Sequence, residues 1–141
     1  MIRGKSPLGM LLLALAGGAS ALGCGKFREV SLCRGIAHDT NQAMDEIEAL
    51  AKAKPVNELR IAKRYGDLAA MLAPRAVGEQ PLAVALRDYV SVLRATDVAI
   101  RSHDAVQKSQ PTRVGEPRRE LERLVKREHA AATRVEVECH N

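Results

Sequence analysis

One run of residues limits the possible folds of this chain more than any other. After Pro81, the residues Leu82, Leu86, Tyr89, Leu93, Thr96, Ile100 and His103 recur at alternating steps of four and three. That spacing keeps one face of an α-helix apolar through three heptads. A half-buried strand needs period two, and no segment sustains it for long enough. "RVEVEC" at residues 134–139 comes nearest, but it continues the helical phase of the residues before it.

Prolines divide the rest of the chain. From about Ser31 to Lys54, Cys33, Ile36 or Ala37, Thr40, Met44, Ile47 and Leu50 or Ala51 follow helical spacing. Pro55 interrupts that segment, and Asn57 is placed to cap a second helix bearing Leu59, Ala62, Gly66, Ala69 and Leu72, which stops before Pro74. Pro81 suits the first position of the third helix, where a missing N–H costs nothing. After "KSQPTRVGEP", Pro117 opens a fourth, with Leu121, Leu124 or Val125, Glu128, Ala132, Val135 and Cys139 on one face. The abundance of Ala, Leu, Arg, Glu and Lys suits helices. Short connections favour antiparallel neighbours, so the expected fold is all-α, an antiparallel up-down-up-down four-helix bundle over residues 31–141.

The N-terminus has a different character. "MIRGKS" carries Arg3 and Lys5, and the uncharged "PLGMLLLALAGGASAL" follows, with its leucines concentrated at residues 11–15. Ala21 and Gly23 then precede Cys24. A basic start, an apolar run and a small-residue exit describe a secretory signal peptide over residues 1–23. As a membrane span the run is short and diluted by glycine. "ALGC" at residues 21–24 resembles the lipobox of bacterial lipoproteins. That resemblance implies cleavage before Cys24, acylation of Cys24 (palmitate among the acyl chains), and a lipid-anchored protein of the cell envelope with residues 24–30 as its tether. Gly25 stands where an aspartate would signal inner-membrane retention, which by the same resemblance points to the outer membrane. The rival reading is ordinary cleavage after Ala21, with Cys24 left as a plain thiol.

Cysteine arithmetic bears on that choice. Cys24, Cys33 and Cys139 are the only cysteines, an awkward odd number for an exported chain. Lipidation of Cys24 leaves Cys33 and Cys139 as one pair, which an oxidising compartment would close. The pair also tests the helix count. With four alternating helices, the start of the first and the end of the last lie together, within the roughly 5–6 Å Cα separation that a disulfide needs. With three helices they would lie at opposite ends.

Composition excludes some functions and leaves others open. With Arg3 and Lys5 removed, 20 basic residues face 17 acidic ones, a net charge of +3. One Phe, two Tyr and no Trp speak against a base-stacking nucleic-acid surface. The histidines are His38, His103, His129 and His140, and none follows a glutamate by three residues, so an inward-facing Glu-x-x-His di-iron site is absent. Glu136 stands where a c-type haem motif ending in Cys139-His140 would need cysteine. Met44 with His129 or His140 makes a poor axial haem pair, because Met44 reads more simply as a core residue. Ser31, Ser91, Ser102 and Ser109 lack a Gly-x-Ser-x-Gly setting, and there is no glycine-rich phosphate loop. No catalytic, cofactor or metal residues are therefore assigned.

Two surface and interior features stay in play. Arg119, Arg123 and Arg127, with Arg134 beyond them, form a basic stripe on the fourth helix, while Glu120, Glu122 and Glu128 are expected at other angles. A stripe of this kind is ordinarily a solvated face, and otherwise a contact for an anionic lipid or an acidic envelope protein. The expected function is a non-catalytic binding or structural module. The alternative is a bundle that holds a metal ion or small apolar ligand inside, for which Glu128, His103 and His129 would have to face one cavity.

Overall fold

The computed structural model describes the backbone of residues 23–141 and the side chains of residues 28–141; the expected signal peptide otherwise lies outside the described residues. It is all-helical among those residues, with four α-helices: α1 (Gly23–Lys52), α2 (Glu58–Leu72), α3 (Pro81–Ser109) and α4 (Gly115–His140). Short 3₁₀ turns at Ala73–Arg75 and Pro111–Arg113 lead into the second and third connections. No described helix is long and apolar enough to cross a membrane.

Local chemistry sets most boundaries. Asn57 is extended and its side chain accepts a hydrogen bond from Arg60 N at 3.1 Å, satisfying an otherwise orphaned donor of the first turn of α2. Pro81 occupies the first position of α3. Gly78, at φ +105°, takes the left-handed turn between α2 and α3 that a side chain would resist. Two ends differ from expectation. The tether expected at 24–30 is helical, since "CGKFREV" contains no proline and is rich in residues that tolerate helix. Helix α4 starts at Gly115, ahead of Pro117, because a proline within the first turn forfeits no intrahelical bond.

Helix α3 forms the centre of the core. It packs extensively on both α2 and α4, whereas α1 rests mainly on α2. Its expected stripe is buried from Leu82 to Ile100, with His103 half-buried. Ala83, Ala85, Val90 and Val92 are buried too, because contact on two sides widens the apolar arc beyond one stripe. Thr96 sits in this interior without loss, its hydroxyl donating to Val92 O at 2.9 Å.

The phase of α2 is the main correction. Leu59 and Gly66 were expected inside, yet Leu59 is 42% exposed. The inner stripe is Glu58, Ala62, Tyr65, Ala69 and Leu72, with Leu68 fully buried beside it. One reason is the company each position keeps. Glu58 meets His103 of α3, Nδ1 to Oε2 2.8 Å, and Tyr65 packs against the core. A Cβ added to Gly66 would lie 2.9 Å from Asp97 Oδ2, so α3 approaches α2 closely there. In α1, Ile36 rather than Ala37 turns inward, and Ala43 is fully buried. In α4, Leu124 rather than Val125 turns inward, and Ala131 joins it.

Cross-links between helices fix their registers. Asp39 pairs with Arg75 at 2.5 Å, and Glu46 meets Arg64 Nε at 2.6 Å in a charge contact angled away from a hydrogen bond. Cys33 of α1 and Cys139 of α4 are joined in a disulfide with a Cα separation of 5.8 Å, across 106 residues of sequence. In the chain-entropy description, closing such a loop is worth about 4–5 kcal/mol.

The corrected α2 phase yields a direct comparison. Leu68→Ala is expected to destabilise the protein by about 2–5 kcal/mol, and Leu59→Ala by about 0.5 kcal/mol or less. Denaturant unfolding measures both, and equal losses would contradict the burial described here.

Candidate functional site

Three groups of residues are candidates: the disulfide end, a polar cluster inside the helices, and the basic face of α4. At the first, α1 brings Cys33 and α4 brings Cys139 against the core beside Leu32 and Ala132. Cys24 lies in the first turn of α1 and takes no part in that bond; its side chain is outside the described residues.

The polar cluster joins three helices. Tyr89 of α3 donates its hydroxyl to Glu128 Oε1 of α4 at 3.1 Å, and Tyr65 of α2 lies close enough to feel the same carboxylate. These are the chain's only tyrosines. Burial raises the Glu128 pKa above the usual 4.5, although the Tyr89 hydrogen bond and the nearby His129 favour its charged form. Burial, and secondarily the Glu128 charge, raises Tyr65 to about 12 and pushes Tyr89 higher still. The cluster satisfies a carboxyl that would otherwise be costly in an aliphatic interior.

Glu128, His103 and His129 do not share a cavity. His103 is held by Glu58, His129 is exposed, and Glu128 is held by Tyr89. Met44 packs against the core, and His140 turns back on its own helix, its Nδ1–H donating to Glu136 O at 2.7 Å. Among the described residues no three His, Cys, Asp or Glu side chains are grouped so as to hold a metal ion.

Arg119, Arg123, Arg127 and Arg134 are all exposed on α4. The expectation that neighbouring acids lie at other angles needs correction. Arg123 makes two hydrogen bonds to Glu120, at 2.9 and 2.6 Å, and Arg118 pairs with Glu122 at 3.4 Å. Positions three and four apart on a helix are neighbours, so part of the stripe is neutralised on its own surface. That pairing holds the Glu120 carboxyl below its usual range and raises Arg123. Arg134 reaches Asp88 of α3 at a loose 3.7 Å. Arg119 and Arg127 carry no ion pair among the described residues. Arg119 and Arg123, with Ser102, Glu116, Pro117 and Glu120, line an open depression where α3 ends and α4 begins.

Sequence spacing alone missed the tyrosine cluster. Its available signal was the stripe Glu58, Ala62, Tyr65, Ala69 and Leu72, which has the same four-three rhythm as the apolar choice. No family model matches the chain, and neither curated proteins nor solved structures give a significant match.

The raised Glu128 pKa predicts a pH dependence with a definite sign. The native state holds this proton more tightly than the unfolded chain, so the added stability is full below about pH 4.5 and is lost as pH rises through the raised native value. Glu128→Gln should flatten that slope in denaturant unfolding; an unchanged slope would contradict it. By the same logic the tyrosines keep their protons past pH 10 in the folded protein. Phenolate absorbance should then appear together with alkaline unfolding, and a transition near pH 10 in folded protein would overturn the burial.

Proposed function

We propose that this chain is a lipid-anchored protein of a bacterial envelope whose helical head works as a non-catalytic binding or structural module. One observation carries the proposal. Cys33 and Cys139 are bonded to each other, so the cysteine left over is Cys24, preceded by Gly23 and an uncharged leucine-rich run. An odd thiol in an exported chain needs a fate, and acylation supplies one. Two or three acyl chains exceed the single-chain level at which membrane binding is only marginal.

We read the head as an antiparallel up-down-up-down bundle. Supporting this are the pairings Asp39 with Arg75 and Glu46 with Arg64, then Glu58 with His103, then Tyr89 with Glu128 and Asp88 with Arg134. From α1 to α2 the partners run in opposite order along the two segments. In the later pairs a residue early in one helix meets a residue in the later half of the next. The anchor would place the head on the periplasmic face, at the outer membrane by the Gly25 criterion. Arg119, Arg127 and the partly neutralised Arg123 and Arg134 would offer an anionic lipid or an acidic envelope protein a contact that weakens with salt.

The test is metabolic labelling with a fatty acid in a bacterial host that expresses the full chain. The wild type is expected to incorporate label and to need detergent for release from membranes, and Cys24→Ser to lose the label completely. A wild type that takes no label, or a Cys24→Ser protein that keeps it, overturns the anchor.

A further inference from the structure

We propose that the Cys33–Cys139 end of the molecule is a bilayer-docking surface, with the Val77 turn as its contact tip. This rests on the anchored reading above and adds to it which face of the head meets lipid. Val30 of α1, Met71 of α2, Val77 of the following turn, Val84 of α3 and Val137 of α4 are all exposed. Each lies near the end of its segment that carries the disulfide or the α2–α3 turn. Single exposed apolar residues are commonplace on soluble surfaces. Here every helix contributes one at the same end.

The turn is also held in place. Arg87 donates to Ala76 O at 3.2 Å and to Gly78 O at 2.6 Å, bracketing Val77 from both sides. Arg75 fastens the preceding 3₁₀ turn to α1 through Asp39. Val77 is thus 77% exposed at the tip of a turn pinned to two helices. Ordering a loop has an entropic cost, and a pinned apolar tip keeps that cost out of any later docking step.

The chain's own N-terminus identifies the occupant. Helix α1 continues to Gly23, so Cys24 stands nine residues before Cys33, or about 13–14 Å beyond the disulfide at 1.5 Å per residue. In the anchored reading Cys24 is the residue that carries the acyl chains, so it marks where the bilayer begins. The polar layer of a leaflet accounts for roughly 5–8 Å of that distance. With neighbouring helices about 8–10 Å apart, a lean of roughly 30° toward the α2–α3 side would bring the Val77 turn to the headgroups. The segments at this end carry both signs, Arg28, Arg34 and Arg87 as well as Glu29, Glu79, Asp88 and Glu138, so attraction to anionic lipid alone would not seat it. An anchored head needs little further affinity, because tethering holds the surface at a high effective concentration.

The absence of tryptophan makes the test clean. Val77→Trp and, as a second reporter, Val84→Trp each add a single fluorophore at an exposed position, and Val98→Trp, on the outer face of α3, is the control. The full-length protein purified with its anchor is reconstituted into phosphatidylethanolamine–phosphatidylglycerol vesicles containing brominated acyl chains. The Val77→Trp and Val84→Trp proteins should lose most of their fluorescence to the brominated lipid, and Val98→Trp very little. Protein that floats with the vesicles while all three reporters are quenched alike overturns the docking and leaves the anchor standing. Protein that does not float with the vesicles overturns the anchor and the docking together.

Discussion

Helix α1 rests mainly on α2 and meets α4 only sparsely, so the disulfide between Cys33 and Cys139 is what closes the arrangement. It ties the start of the first helix to the end of the last across 106 residues. A single small core rich in alanine buries modest area, and native stability is a small difference between large terms. A bond that restrains the unfolded chain by about 4–5 kcal/mol is then a large share of the total. The same bond decides the cysteine arithmetic, because it removes two thiols and leaves Cys24 alone.

Around that closure, α3 provides the interior. Leu86 and Leu93 are fully buried there, and the helix has neighbours on two sides. The four-three rhythm that marks α3 in the sequence is legible because its stripe is aliphatic almost throughout. In α2 the rhythm was equally present but its phase was not legible. Two stripes compete there, one entering through Leu59 and one through Glu58 and Tyr65, and they share Ala62, Ala69 and Leu72. Hydrophobicity selects the first, whereas the fold selects the second, since His103 and Glu128 wait across the interface for polar partners. A side chain's partner on another helix is a tertiary fact, and local spacing does not encode it.

The same limit explains the basic face. The recurrence of Arg119, Arg123 and Arg127 is plain in the sequence, yet whether an arginine is free depends on rotamers and near neighbours. Glu120 takes Arg123, whereas Arg119 and Arg127 form no ion pair among the described residues. The four-helix count, by contrast, followed from proline placement, and the turns match it closely at Asn57 and Pro81. The extension of α1 back to Gly23 was hidden because nothing in "CGKFREV" either demands or forbids a helix.

The account as a whole turns on the fate of the three cysteines, and intact mass of the protein purified from its native membranes reads all three at once. It is measured with and without reduction, each time followed by thiol alkylation. The account predicts a chain that begins at Cys24 with added acyl mass, and two alkylations that appear only after reduction. A chain without acyl mass, or one whose Cys33 and Cys139 alkylate before reduction, would contradict it.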